Sequence, residues 1–177
     1  MIYLTINSKD NFLKNKVEEL FYHENVTLYF VENTAPLNVN LISNDNGSIY
    51  FTSAFARSEE IKTPTNFQKI NSILVKLLDN FFFKLEDFNY FPLRSEILND
   101  RKSLILGDIQ NKILSNLLFA KNGILKKNLY PIIWPNEKTY FVNKIDTHLT
   151  NLKNNFNDQL ALKINFLSSD GLLKIIL

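Results

Sequence analysis

Hydrogen-bonding side chains are concentrated between positions 144 and 154, where apolar residues recur at helical spacing. The apolar positions follow i, i+4, i+7 and i+11, which predicts a helix over residues 142–156 whose buried face comprises Ile145, Leu149, Leu152 and Phe156. The other faces then carry potential donors: Lys144, Thr147, His148, Asn151, Lys153 and Asn154. An α-helix fits the major groove of DNA, where asparagine can pair with adenine through two hydrogen bonds and lysine can donate to guanine. The chemistry open to this segment is therefore recognition of base edges.

Three residues in or near this helix are expected to have structural roles. Asp146 would repel phosphates, so we expect it to cap the helix or to orient a neighbour. His148 is expected to be packed or hydrogen-bonded rather than to read a base. Trp134 is expected in the core, where it closes the turn before the helix.

Further elements must position the helix at 142–156. Residues 106–114 open one predicted helix, residues 124–134 form another, and the Asp170-Gly171 pair predicts the tip of a C-terminal hairpin. Alternating apolar residues between positions 81 and 102 predict a strand region ahead of these helices. The order is a helix-turn-helix followed by a wing, which is an α+β arrangement.

This order resembles the winged-helix effector domain of OmpR-type response regulators, most closely through Trp134, the run at 145–149 with Leu152 and Lys153, and the hairpin at 170–175. The resemblance covers somewhat more than half of the chain. It implies double-stranded DNA and RNA polymerase as partners, and groove contacts from Lys144, Thr147, Asn151 and either Asn154 or Asn155. The family's usual recognition-helix arginines are replaced here by Asn151 and Lys153. The remaining candidate phosphate contacts are Lys126, Lys127, Lys138, Lys163 and Lys174.

The first 80 residues alternate strands and helices, with strands predicted at 2–6, 26–31, 37–42 and 49–52 and helices at 12–21 and 67–78. This pattern predicts an α/β domain with a mostly parallel sheet, similar to a shortened flavodoxin-like receiver. Asn7, Ser8 and Lys9 stand where a receiver carries its metal-binding acids, and Asp10 is expected to cap a helix. We therefore expect a pseudo-receiver, residues 1–80, that uses no phosphate and forms a homodimer, joined to a DNA-binding domain at 81–177.

The composition of the chain limits the classes of function that we expect for it. Residues 84–177 carry 13 basic and 9 acidic side chains, a balance of about +4, whereas residues 1–83 carry 7 and 9, about −2. The chain has no cysteine, no apolar run of about 20 residues and no glycine-rich phosphate loop, and its two histidines lie far apart. We expect a cytoplasmic protein that is not an enzyme, binds no cofactor and does not enter a membrane.

One alternative stays open, a winged helix that has lost DNA binding and serves as a protein-interaction module. The charges around the helix at 142–156 discriminate between the two. Convergence of the four lysines on one face would favour DNA, namely Lys126, Lys138, Lys144 and Lys153. Their neutralisation by acids would favour a protein partner, the acids being Glu137, Asp146 and Asp158.

Overall fold

The computed structural model describes residues 2–21, 26–29, 37–43, 48–53, 56–62, 65–120 and 122–176. Contacts between Cα atoms divide the chain into two compact units, Ile2–Phe81 and a second that runs from Phe82 onward. The division lies one residue from the predicted boundary between positions 80 and 81.

The N-terminal unit contains one five-stranded sheet and two helices. The sheet has the order β2-β1-β3-β4-β5, in which β1 is parallel to both β2 and β3, whereas the pairs β3–β4 and β4–β5 are antiparallel. The elements are β1 (Ile2–Ser8), α1 (Asn11–Leu20), β2 (Val26–Tyr29), β3 (Leu37–Ser43), β4 (Ser48–Ser53), β5 (Ala56–Lys62) and α2 (Phe67–Asp79).

The expectation of a mostly parallel sheet is wrong, because only two of the four neighbouring strand pairs are parallel. Four residues, 44–47, separate β3 from β4, and two separate β4 from β5. A parallel connection needs a crossover of a dozen or more residues, so links this short force antiparallel pairing. Strand β5 was not predicted, since its Arg, Ser and Glu residues interrupt the apolar alternation.

A side-chain cap starts each of the two helices of this unit, the predicted Asp10 for α1 and the unpredicted Asn66 for α2. The Asp10 carboxylate accepts hydrogen bonds from the Phe12 and Leu13 amides at 3.0 and 3.1 Å, which confirms its capping role. The Asn66 side chain accepts from the Lys69 amide at 2.9 Å and starts α2. Leu13 and Val17 form the buried face of α1, while Phe12 on its other side is 73% exposed.

The second unit starts with a four-stranded antiparallel sheet whose strands pair in chain order. Three helices follow, and a second, three-stranded sheet has the order β10-β12-β11. The elements are β6 (Phe83–Leu85), β7 (Phe88–Phe91), β8 (Glu96–Leu98), β9 (Ser103–Ile105), α3 (Asp108–Phe119), β10 (Ile124–Leu125), α4 (Lys126–Ile133), α5 (Val142–Asn155), a π-helical turn (Phe156–Leu160), β11 (Asn165–Ser169) and β12 (Leu172–Ile176).

The predicted helices at 106–114, 124–134 and 142–156 correspond to α3, α4 and α5, with one difference. Ile124 and Leu125 form strand β10 instead of the first turn of α4, because they pair with Leu173 and Leu172 of β12. Gly123 permits this pairing because it has no side chain. A Cβ atom at this position would lie 2.7 Å from the Leu173 carbonyl oxygen, and the φ of Gly123, +88°, is one that other residues rarely adopt.

The buried residues of α5 belong to two apolar clusters, one at the first half of the helix and one at its end. Ile145 and Leu149 pack with residues of α3 and α4 and with Leu173, whereas Leu152 and Phe156 pack with the four-stranded sheet. All four are at most 6% exposed, which confirms the predicted inward stripe. Burial of each such side chain contributes about 1.5–3 kcal/mol. The orientation of α5 is therefore strongly determined.

A buried polar contact joins the four-stranded sheet to α3. The Tyr90 hydroxyl donates to the Asn111 side-chain oxygen at 2.5 Å, and the Asn111 amide donates to the Pro92 carbonyl at 2.9 Å. Tyr90 is fully buried, so both polar groups need these partners. The contact fixes the four-stranded sheet relative to α3.

The C-terminal hairpin turns at Asp170 and Gly171, as predicted, and both residues have positive φ, 50° and 76°. Within the described ranges, no helix has the length and apolar character needed to cross a bilayer.

Candidate nucleic-acid interface

The exposed face of α5 is a row of uncharged hydrogen-bonding side chains. Starting from Asn143, exposed residues recur at i, i+4, i+7, i+8 and i+11, directly opposite the buried face. We call this row the amide stripe, formed by Asn143, Thr147, Thr150, Asn151 and Asn154. Because two apolar clusters hold the opposite face, the amide stripe is presented on a rigid helix.

The three asparagine amides of the stripe have unused hydrogen-bonding capacity. Among the described residues, the side chains of Asn143, Asn151 and Asn154 have no hydrogen-bonding partner, although many neighbouring polar groups are paired. Each amide offers one acceptor oxygen and a two-proton donor on a planar group. Their solvent exposure leaves these groups accessible to an external partner.

Unlike the asparagine amides, the two threonine hydroxyls of the stripe are hydrogen-bonded within the protein. The Thr147 hydroxyl donates to the Asn143 carbonyl at 2.9 Å, and the Thr150 hydroxyl donates to the Asp146 carbonyl at 3.0 Å. These bonds to the carbonyl four residues earlier hold the hydroxyl protons against the helix backbone. The groups that remain for a partner are the γ-methyl and an oxygen lone pair.

Beside the amide stripe, two of the candidate lysines, Lys126 and Lys144, are paired with carboxylates of the protein. Lys126 is only 7% exposed, and its ammonium group lies 2.5 Å from the Asp146 carboxylate. A buried ammonium needs such a partner, because desolvation alone would cost several kcal/mol. Asp146 therefore orients a neighbour, as expected, and Lys126 is removed from the set of phosphate contacts.

Lys144 is also engaged within the protein. Its ammonium group donates to the Glu137 carboxylate and lies 4.4 Å from the centre of the Trp134 ring. The Tyr130 hydroxyl donates to the same carboxylate at 2.5 Å. The hydrogen bond from Lys144, and then that from Tyr130, lowers the pKa of Glu137. We use the name ion-paired rim for two separate sets of contacts, Lys126 with Asp146 and Glu137 with both Tyr130 and Lys144.

His148 packs against the same turn. Its ring centre lies 5.7 Å from that of Trp134, and partial burial, together with the nearby Lys144 charge, lowers the pKa of the imidazole. The expected packing role is confirmed. Trp134 is half-buried and packs against Tyr130 at 4.7 Å between ring centres, so it closes the turn between α4 and α5 at the edge of the core.

The remaining candidate cations are exposed and lie on several elements. Lys127 is at the start of α4, Lys138 is in the turn before α5, and Lys163 and Lys174 belong to the C-terminal segment. Lys153 is exposed on α5 and donates to the Asn165 side chain at 3.1 Å. It lines a shallow groove between α5 and the hairpin, together with Thr150 and Ser168. Of the predicted phosphate contacts, these five lysines remain exposed.

Sequence reasoning found part of this surface. Thr147, Asn151 and Asn154 lie together on the amide stripe as predicted, whereas Lys144 belongs to the ion-paired rim and Asn155 is half-buried. Asn143 and Thr150 were missed, although the helical period opposite Ile145 and Leu149 marks both. Of the acids expected to discriminate between partners, Asp146 and Glu137 each neutralise one lysine. No such lysine contact of Asp158 occurs among the described residues; its carboxylate accepts from the Asn157 amide at 3.3 Å.

In comparisons with known proteins, the chain matches no family model and no curated sequence.

Proposed function

We propose that this chain is a double-stranded-DNA-binding regulator of transcription that reads the major groove with α5. The observation that carries the proposal is the amide stripe, a row of exposed hydrogen-bonding side chains on a rigid helix, in which the three asparagine amides have no intramolecular partner among the described residues. Groove recognition requires such unpaired groups, because a side chain already bonded within the protein must break that bond before it can read a base.

The surrounding elements support the same function. A helix-turn-helix followed by a hairpin is a common means of placing the last helix in a groove and the hairpin beside the backbone. Phosphate contacts are assigned to Lys127, Lys138, Lys153, Lys163 and Lys174, which are all exposed. Four or five such contacts give a slope of log affinity against log salt near −4, which describes a moderate binder.

The proposal assigns the N-terminal unit to dimerisation, in the manner of an OmpR-like regulator that works without phosphate. Exposed apolar side chains on α1, Phe12 and Leu20, support an interaction role for this unit. A dimer of helix-turn-helix units reads two half-sites about one helical turn, or ~10 base pairs, apart. A cytoplasmic location and contact with RNA polymerase belong to the same proposal.

The proposal is tested by exposing the protein to a pool of genomic fragments at low and moderate salt. A matched variant changes Asn151 and Asn154 to Ala, which removes two unpaired amides and leaves the buried face intact. We expect the native protein to enrich a small set of fragments with paired half-sites, and the variant to lose that selectivity at unchanged thermal stability. Equal enrichment by both proteins would contradict the role of α5.

A second function, a protein-interaction module, is favoured by one specific observation. Lys126 and Lys144 are neutralised by Asp146 and Glu137, so two of the four lysines expected to converge on DNA have acidic partners. Beside them, Phe141 is 57% exposed, which is typical of a protein contact rather than a DNA contact. If the folded protein binds no fragment even at low salt, this second function replaces the first.

A further inference from the structure

The amide stripe contains none of the side chains that select guanine or cytosine. Guanine is read most often by arginine or lysine, and the exposed amino group of cytosine is accepted by a carboxylate. All five stripe residues are asparagine or threonine. Of the charged residues on α5, Lys144 and Asp146 are engaged with Glu137 and Lys126 in the ion-paired rim, and Lys153 donates to the Asn165 side chain.

Asparagine matches one base better than the others. Adenine presents an acceptor, N7, beside a donor, the N6 amino group, and a carboxamide can satisfy both at once. Guanine presents two acceptors at the same edge, so a carboxamide oxygen there would face an oxygen. Because Asn143, Asn151 and Asn154 are unpaired among the described residues, all three amides have both groups to offer.

Threonine completes the recognition of the same base pair. With their hydroxyl protons bonded to the backbone carbonyls of Asn143 and Asp146, Thr147 and Thr150 present γ-methyl groups. Thymine is the base that carries a methyl group in the major groove, and apolar side-chain groups contact it. The two residue types of the stripe therefore fit the two bases of an A·T pair.

We propose that α5 is specific for runs of A·T base pairs and that it recognises thymine through its methyl group, with Thr147 and Thr150 as specificity-determining residues. This inference rests on the proposed function and adds the base composition of the target. The backbone bonds of the two threonine hydroxyls make the methyl groups, rather than the hydroxyls, the source of selectivity.

The test begins with a pool of synthetic duplexes that carry a random 20-base-pair core, about two helical turns. Bound duplexes are recovered and sequenced. The preferred duplex is then prepared in two altered forms, one with uracil replacing thymine and one with 7-deazaadenine replacing adenine. Uracil lacks only the methyl group, and 7-deazaadenine lacks only the N7 acceptor.

We expect an A·T core, and affinity about fourfold lower for each contacted thymine that becomes uracil, since burial of a methyl group contributes roughly that factor. Loss of N7 is expected to lower affinity about tenfold per contacted adenine. The matched variant changes Thr147 and Thr150 to Ser, which keeps both backbone hydrogen bonds and removes both methyl groups. It is expected to bind the thymine and uracil duplexes equally.

Each outcome bears on a defined part of the inference. A core rich in G·C, bound selectively and lost when Asn151 is changed to Ala, would overturn the inference while the DNA-binding function stands. Equal affinity of the native protein for thymine and uracil duplexes, or continued discrimination by the Ser variant, would overturn the role of the threonines. Failure to bind any duplex by the folded protein would overturn both the inference and the proposed function.

Discussion

The amide stripe lies on α5 between Lys144 and Asp146, the two α5 residues of the ion-paired rim, and the stripe and the rim use their polar groups in opposite ways. In the rim, Lys126 and Lys144 each have a carboxylate partner within the protein. In the stripe, the asparagine amides have no intramolecular partner in the described part of the chain. The rim therefore stabilises the turn between α4 and α5, whereas the stripe contributes little to folding and is left for a ligand. Changes in the rim should alter stability first, and changes in the stripe should alter binding alone.

The largest effect is expected from removing the support that the two surfaces share. Leu152 is fully buried on the inner face of α5. Its change to Ala should lower the free energy of unfolding by about 3 kcal/mol, because apolar burial is lost and a cavity remains. Urea unfolding measures the loss. Since both surfaces depend on this anchor, DNA binding should weaken together with stability; a variant of native stability would show that α5 is held mainly from elsewhere.

A smaller loss of stability is expected from the rim itself. Changing Asp146 to Ala leaves the Lys126 ammonium buried without its carboxylate, which costs roughly 3–5 kcal/mol for a fully buried pair. The Asp146 side chain is 46% exposed, so water replaces part of the contact, and we expect about 2 kcal/mol.

Urea unfolding of Asp146→Ala can be compared with Asp158→Ala, which removes an exposed carboxylate from the same segment of the chain. The control should change the free energy of unfolding by less than about 0.5 kcal/mol. If the two variants unfold alike, the pair between Lys126 and Asp146 has no role in holding α4 against α5.

The rim also marks the limit of what the sequence could predict. The buried stripe of α5 follows from the spacing of Ile145, Leu149 and Leu152, because a helical period directly determines which residues share a face. The contact between Lys126 and Asp146 spans 20 residues, and its existence depends on how α4 crosses α5. No local pattern encodes that crossing, so Lys126 was expected to be exposed.

In the N-terminal sheet, too, local sequence patterns predicted the elements better than their arrangement. Four of its five strands were recognised from their apolar alternation, but strand directions depend on the lengths of the connections. The four residues between β3 and β4 contain the Asn46-Gly47 pair, which is a hairpin signal and already favoured antiparallel pairing. The error came from extending the parallel start of the sheet, β1 with β2 and β3, to the remaining strands.

The stripe should respond to substitution in binding and not in stability. Asn151→Ala removes one unpaired, exposed amide, so the free energy of unfolding should stay within about 0.5 kcal/mol of the native value. Affinity for the selected duplex should fall about tenfold, the loss of one good pair with a base. Fluorescence anisotropy measures the affinity, and Asn157→Ala, beyond α5 in the π-helical turn, serves as the control. A control that weakens binding equally would place the interface elsewhere.

The smallest expected effect is a pH dependence that originates in the rim. Hydrogen bonds from Lys144 and Tyr130 lower the pKa of Glu137 in the folded protein below its ordinary value, so the carboxylate keeps its charge to lower pH in the folded protein than in the unfolded chain. The corresponding stability is fully present above the unfolded pKa and is lost as pH falls through the folded pKa. Urea midpoints measured from pH 6 down to about pH 3 should therefore fall more steeply in the native protein than in Glu137→Gln.

The comparison with Glu137→Gln separates this contribution from that of His148. The lowered pKa of His148 means that the unfolded chain binds a proton more readily near its ordinary pKa of 6.5, so stability also declines as pH falls through that higher range. His148 is present in both proteins, and its decline should appear in both curves. The two curves should separate only at lower pH, where Glu137 titrates. Parallel curves throughout would show that the bonds to Glu137 add nothing to stability, and the rim would then consist of the contact between Lys126 and Asp146 alone.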